Sequence, residues 1–175
     1  MPANDIATVA TNAGMLALWR SSAFADVDGY EVWEERVNDR LDDAIQSGEL
    51  VPIGIQSDGA WGVRLAVAPD AATEREAACT VVTSEPYLLL ADGSPLVLSG
   101  VETVGDPSAS PVSLSLPEGR YAVRAKIIAW DEEPGARDGS GKRGPNALAD
   151  FLVLVERSEG SEHFRTSDLT FDMPG

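Results

Sequence analysis

One cysteine, one histidine and two lysines are all that this chain of 175 residues contains of those types, and each scarcity removes a class of function. Cys79 alone forms no disulfide within the chain, and a single thiol fits a reducing compartment. His163 is the one imidazole available as base to a Ser or Cys nucleophile. It sits in a polar tail between Glu162 and Phe164, where a surface histidine beside a local carboxylate is the plainer reading. One Cys and one His do not furnish the four ligands of an ordinary zinc site. No metal and no cofactor is expected.

Long apolar runs are missing too. Nothing approaches the roughly 20 residues of a membrane span. The stretch MPANDIATVATNAGMLALW carries Asp5 and no Lys or Arg before Arg20, unlike the basic start of a secretory signal. A soluble, cytoplasmic protein is expected. Basic charge is the remaining scarcity: 13 bases face 29 acids, for a net charge of −16. Such a surface repels nucleic acid and anionic membrane. It attracts a basic protein and quickens the encounter. Solubility, or adaptation to high salt, is the alternative use of the same charge.

What is present reads as one domain over 1–175, long enough for a sizeable core. Residues 5–20 suggest two short strands about Asn12-Ala13-Gly14. In DGYEVWEERVNDRLDDAIQSG, Tyr30, Trp33, Val37, Leu41, Ala44 and Ile45 recur at helical spacing, which predicts one long amphipathic helix over Tyr30–Ser47. Asp28 and Glu31 have the spacing of a capping box, and Gly48 stands where a terminating glycine belongs. The polar side of that helix holds Glu34, Glu35, Asp39, Asp42 and Asp43, the densest charge cluster in the chain. These five acids are the candidate binding residues.

Beyond Gly48 the pattern turns to period two. LVPIGIQ and WGVRLAVA flank an Asp58-Gly59 pair, a hairpin signal, and Asp92-Gly93 repeats it. CTVVTS, PYLLLA, SPLVLS and GVETV supply further short strands. SLSLPEGRYAVRAKIIAW alternates on both sides of Pro117-Glu118-Gly119 and predicts another hairpin, Pro111–Leu116 with Arg120–Trp130. Residues 131–146 are turn formers and charge, the composition of a mobile loop. ADFLVLVER is apolar on both parities and predicts a central strand. From Ser158 a polar tail runs to 175, with Phe164, Leu169 and Phe171 able to pack back. The fold class expected is an antiparallel β-sandwich with one long helix near the N-terminal third.

Motifs for catalysis are wanting. There is no Gly-x-Ser-x-Gly elbow, no Gly-x-Gly-x-x-Gly and no Walker pattern. DVDGYEVWEE lacks the spacing of an EF-hand. Arg120, Arg124 and Lys126 share a strand face with Arg64 nearby, and pairing with acids on neighbouring strands accounts for them. Cys79 reads as a small buried hydrophobe.

The order of elements, with Leu116-Pro117-Glu118-Gly119-Arg120-Tyr121, the apolar strand after the helix of Trp33 and the closing strand beside Asp150, resembles the competence protein J family between Trp33 and Val155. That resemblance implies a small bacterial inhibitor of a nuclease of DNA uptake; it carries over no individual residue. An acidic surface suits such a role, because the substrate cleft of a nuclease is basic. Three functions stay open. One is a non-catalytic acidic module that inhibits or neutralises a basic partner such as a nuclease. Another is a small-ligand binder or enzyme with Trp61, Trp130 and the 131–146 loop at a pocket mouth. The third is an accessory domain of a bacterial assembly.

Overall fold

Alternating apolar and polar residues demand one wet and one dry face per strand, but they do not say which neighbour a strand pairs with. The computed structural model describes residues 5–110 and 112–171 and shows how that freedom is used. The chain is mainly β. Strands β1 (Ile6–Thr11), β2 (Met15–Arg20), β3 (Leu50–Gly54), β4 (Gly59–Val67), β5 (Thr80–Thr83), β6 (Tyr87–Ala91), β7 (Leu96–Gly100), β8 (Ser113–Leu114), β9 (Gly119–Ile128) and β10 (Phe151–Arg157) form two sheets. One has six strands in the order β1-β4-β10-β9-β5, with β6 also on β9. The other has four, in the order β3-β2-β7-β8. Every pairing is antiparallel except β10 with β4, which is parallel.

The two short strands expected about Asn12-Ala13-Gly14 are present, but none of the turns expected to close a hairpin does so. Asn12-Ala13-Gly14 carries the chain from β1 in the larger sheet to β2 in the smaller. Asp58-Gly59 takes it back, since β3 pairs with β2 and β4 with β1. Asp92-Gly93 and Pro117-Glu118-Gly119 are crossings too: β6 and β9 belong to the larger sheet, β7 and β8 to the smaller. Alternation on both sides of a glycine turn is equally satisfied by two strands facing each other across a core. GVETV is not a strand: Val101–Thr103 is a 3-10 turn, closed by the Val104 N–H on the Val101 carbonyl. Pro111 and residues 172–175, within the expected strand and tail, lie outside the described residues.

Both sheets contribute to one apolar cluster, among it Leu16, Leu18 and Trp19 from β2, Val97 from β7, Val123 from β9 and Phe151 and Val153 from β10. The central position expected for ADFLVLVER is observed, with β10 between β4 and β9. Its other parity faces a second, smaller cluster of Ala66, Ile128, Leu148 and Leu152, against which Cys79 and Trp130 pack. That cluster lies beneath helix α3 (Glu74–Cys79), which the sequence reading missed. Cys79 therefore closes a helix rather than opening a strand, half-buried, and burial pushes its thiol pKa up. The tail folds back as expected at its end: Phe171 is buried and its N–H donates to the Gly54 carbonyl.

The long helix over 30–47 is not one helix. A single turn α1 (Tyr30–Trp33) runs into a π-helical turn, Glu34–Asn38, and a separate α2 (Leu41–Gln46) follows. The Asp39 N–H donates to the Glu34 carbonyl, five residues back, and Arg40 leaves helical geometry at φ −120°, ψ 28°. Asn38 and Asp39 are poor helix formers whose side chains compete for backbone groups, and Asp42 and Asp43 suit the first turn of a new helix. The cap differs as well: Gly29, not Asp28, precedes α1, with no side-chain capping bond. The exit is as expected. Gly48 at φ +72° donates to Ile45 while Glu49 donates to Ala44, a Schellman pair.

Candidate protein-binding surface

The break rotates the helical stripe. Val37, Ala44 and Ile45 are buried, Trp33 and Leu41 pack partly against the core, and Tyr30, expected on the buried stripe, is 69% exposed. The five candidate acids fall into two groups instead of one helical face. Glu34 and Glu35 lie on the π-helical turn; Asp39, Asp42 and Asp43 surround the junction with α2, where they line a shallow depression of about 220 Å³ together with Asn38, Arg40 and Leu41.

Their charges are barely compensated. Glu35 lies 4.0 Å from Arg40, and half-buried Glu34 accepts a 3.3 Å hydrogen bond from the Tyr30 hydroxyl. Asp39, Asp42 and Asp43 are exposed and have no ion pair among the described residues. The neighbouring Arg36 is engaged elsewhere, on Asp26 and the Ala23 carbonyl.

Upstream of these acids runs a groove of about 780 Å³ between residues 27–33 and 102–106. Tyr30 and Trp33 stack within it, ring centroids 6.0 Å apart and planes at 24°. The Trp33 Nε1–H donates to the Val101 carbonyl at 3.0 Å, which fixes the indole. Gly105 adopts φ +104°, and a Cβ there would meet the Val27 Cβ at 2.6 Å. The close approach of the two walls needs that glycine.

Elsewhere some of the charge is structural. Arg64 and Glu76, both almost fully buried, form a bidentate pair at 2.6 and 2.7 Å. Asp70 and the Ala71 carbonyl also accept from the guanidinium. Burial alone would raise the Glu76 pKa; the hydrogen bonds from Arg64 and the Thr73 N–H, with the Arg64 charge, outweigh it and hold the carboxyl below its usual range. Glu76 is also the third residue of α3 and closes a capping box with Thr73. The Thr-x-x-Glu spacing was in the sequence and was the available signal for α3. Of the basic strand face, Arg124 pairs with Glu156 on the neighbouring strand as expected, whereas Lys126 donates to the Thr83 hydroxyl and Arg120 has no ion pair among the described residues.

A second hub holds the 131–146 loop. Asp150 accepts from the Gly62 N–H, the Trp130 Nε1–H and Arg143 at 2.7–2.9 Å. Arg143 and Arg137 lie over the Trp130 ring, 4.3 and 5.3 Å from its centroid. Trp61 packs edge-on against Phe151 in the main core, whereas Trp130 belongs to the cluster on the other face of β10. His163 is exposed. No group of three or more His, Cys, Asp or Glu among the described residues is placed to hold a metal ion, and no helix among them is long and apolar enough to cross a membrane.

No protein-family model matches the chain, and no curated protein matches it in sequence. Solved structures do share its fold. The protein titled crocagin biosynthetic gene J superposes with a TM-score of 0.58 at 15% identity, over 89% of this chain and 96% of that one. ComJ from Bacillus subtilis, titled an inhibitor of the DNA-degrading activity of NucA, superposes at 0.50 with 8% identity, over 88% and 96%. The likeness expected from the order of elements is thus present in the architecture.

Proposed function

We propose that this protein is a non-catalytic binding module that engages a basic protein through Glu34, Glu35, Asp39, Asp42 and Asp43, and that the partner is a nuclease it inhibits. One observation carries the reading. Among the described residues every arginine except Arg120 and Arg157 has a carboxylate within ion-pair distance, while Asp39, Asp42 and Asp43, gathered about one depression, have no cation between them in an ion pair. A surface left so unbalanced in a chain whose cations are otherwise engaged is suited to receive positive charge from outside. The fold shared with ComJ supports the choice of a nuclease, and two sheets around one core support reading the architecture as a β-sandwich. The same charge keeps the protein itself off nucleic acid and anionic membrane, and the reading places it in the cytoplasm.

The test is a DNA-degradation assay with a nuclease encoded by the same organism, at low and high salt. Added protein should slow degradation at low salt, with the effect fading as salt rises. Glu35→Gln/Asp39→Asn/Asp42→Asn should inhibit less. Equal inhibition by both proteins would remove these acids from the interface.

A further inference from the structure

The groove between residues 27–33 and 102–106 supplies what the acidic surface lacks, a place for one side chain to anchor. We propose that it receives an arginine from a basic segment of the partner, its guanidinium over the Tyr30–Trp33 pair and its charge among Asp28, Glu102 and Asp106. The proposal rests on the reading of the protein as a binder of basic partners and names the contact that fixes register.

The chain's own habits identify the occupant. Phe24, Tyr121 and Trp130 each carry an arginine of this chain over the ring. The Tyr30–Trp33 stack has none among the described residues, although Tyr30 is the most exposed of the large hydrophobic side chains there. Among the described residues no basic residue lines the groove. Asp28, Glu102 and Asp106 do, and none of them is in an ion pair among the described residues. Asp28 is exposed. Asp106 uses Oδ1 on the Ser108 N–H and hydroxyl, and Glu102 is held in place by Thr11 Oγ1 and the Asn12 N–H at 2.9 and 2.7 Å. Val27 and Val104 add apolar wall for the methylene stem of an arginine. A planar guanidinium stacks on aromatic rings and takes carboxylates at its edge, which an ammonium does less well.

The experiment is a ¹H–¹⁵N NMR titration of the whole protein at low salt with blocked Gly-Arg-Gly peptide and its citrulline counterpart. The arginine peptide should shift the Trp33 indole N–H and the Gly29 and Gly105 amides saturably, and the neutral citrulline peptide should not. Tyr30→Ala, at an exposed position, should weaken binding about two- to five-fold, and Tyr30→Phe should restore it. Asp28→Asn/Asp106→Asn should weaken it further and flatten its salt dependence. Glu35→Gln/Asp39→Asn/Asp42→Asn should leave the groove shifts in place. Absence of saturable groove shifts, or equal response to citrulline, overturns the proposal. Shifts confined to residues 34–43 also overturn it, while leaving the acidic surface as the binding face.

Discussion

The cover of the larger sheet and the helical segment 30–46 use charge in opposite ways. Under the cover, Arg64, Glu76 and Asp70 form a buried cluster, Asp150 gathers three donors, and Arg75 clamps Glu133 at 2.6 Å across to the loop. Each ion there has a partner that holds one element to another. Along 34–43 the acids hold almost nothing together. A charge that folding does not need, kept at the surface against the repulsion of its neighbours, is a better guide to binding than one that folding requires.

The comparison breaks most readily at Arg64. Arg64→Met strands the Glu76 carboxylate in a buried site and should cost about 3–5 kcal/mol, read from urea unfolding. A loss under about 1 kcal/mol would mean that the cluster is not structural. The same region sets the acid response. Because the Glu76 carboxyl is held below the ordinary glutamate value of about 4.3, its contribution is complete above that pH and is lost as pH falls beneath it. Asp92, lowered to about 2 by the Ser22 hydroxyl and then Ser94, acts in the same direction. Acid titration of stability should therefore show a decline beginning near pH 4, with Glu76→Gln shallower than wild type.

At the second hub, Asp150→Ala leaves the Gly62 and Trp130 donors without their acceptor and should cost about 1–3 kcal/mol. It should also speed tryptic cleavage within 131–146. In the wild type the first internal cut is expected at Lys142, because Arg137 and Arg143 are held on Trp130; a first cut at Arg36 or Arg40 would mean that burial of Val37, Ala44 and Ile45 does not hold the helical segment in place. The smallest effect is expected where the functional one is proposed. Glu35→Gln/Asp39→Asn/Asp42→Asn should change stability by no more than about 0.5 kcal/mol. A loss comparable to that of Arg64→Met would make the two regions alike and remove the ground for assigning binding to one of them.

Period and composition carried the sequence reading a long way. The strands of the core, the central place of β10, the Schellman glycine at Gly48 and the seating of Phe171 follow from residue type and spacing alone. Pairing did not, because alternation fixes which side of a strand is dry and is silent about its edges. The helix was misread at Asn38-Asp39, where two weak formers inside a strong apolar stripe let tertiary packing substitute a π-helical turn. The candidate acids were visible as a cluster; the aromatic pair beside Asp106 depends on a segment some seventy residues away in sequence, and no local pattern reports that.

The glycine turns that pass the chain between sheets have a consequence for how the protein assembles. Strands that are neighbours both in chain and in sheet are joined only by the long connections 21–49, 101–112 and 129–150. No tight hairpin is available as a local nucleus, so loop closure must precede most strand pairing. Proteins built on such distant pairings fold in roughly milliseconds to seconds rather than microseconds. The apolar cluster to which both sheets contribute is complete only when both are present. The two layers should therefore appear together in a single kinetic phase, and a fragment ending before β9 should not fold.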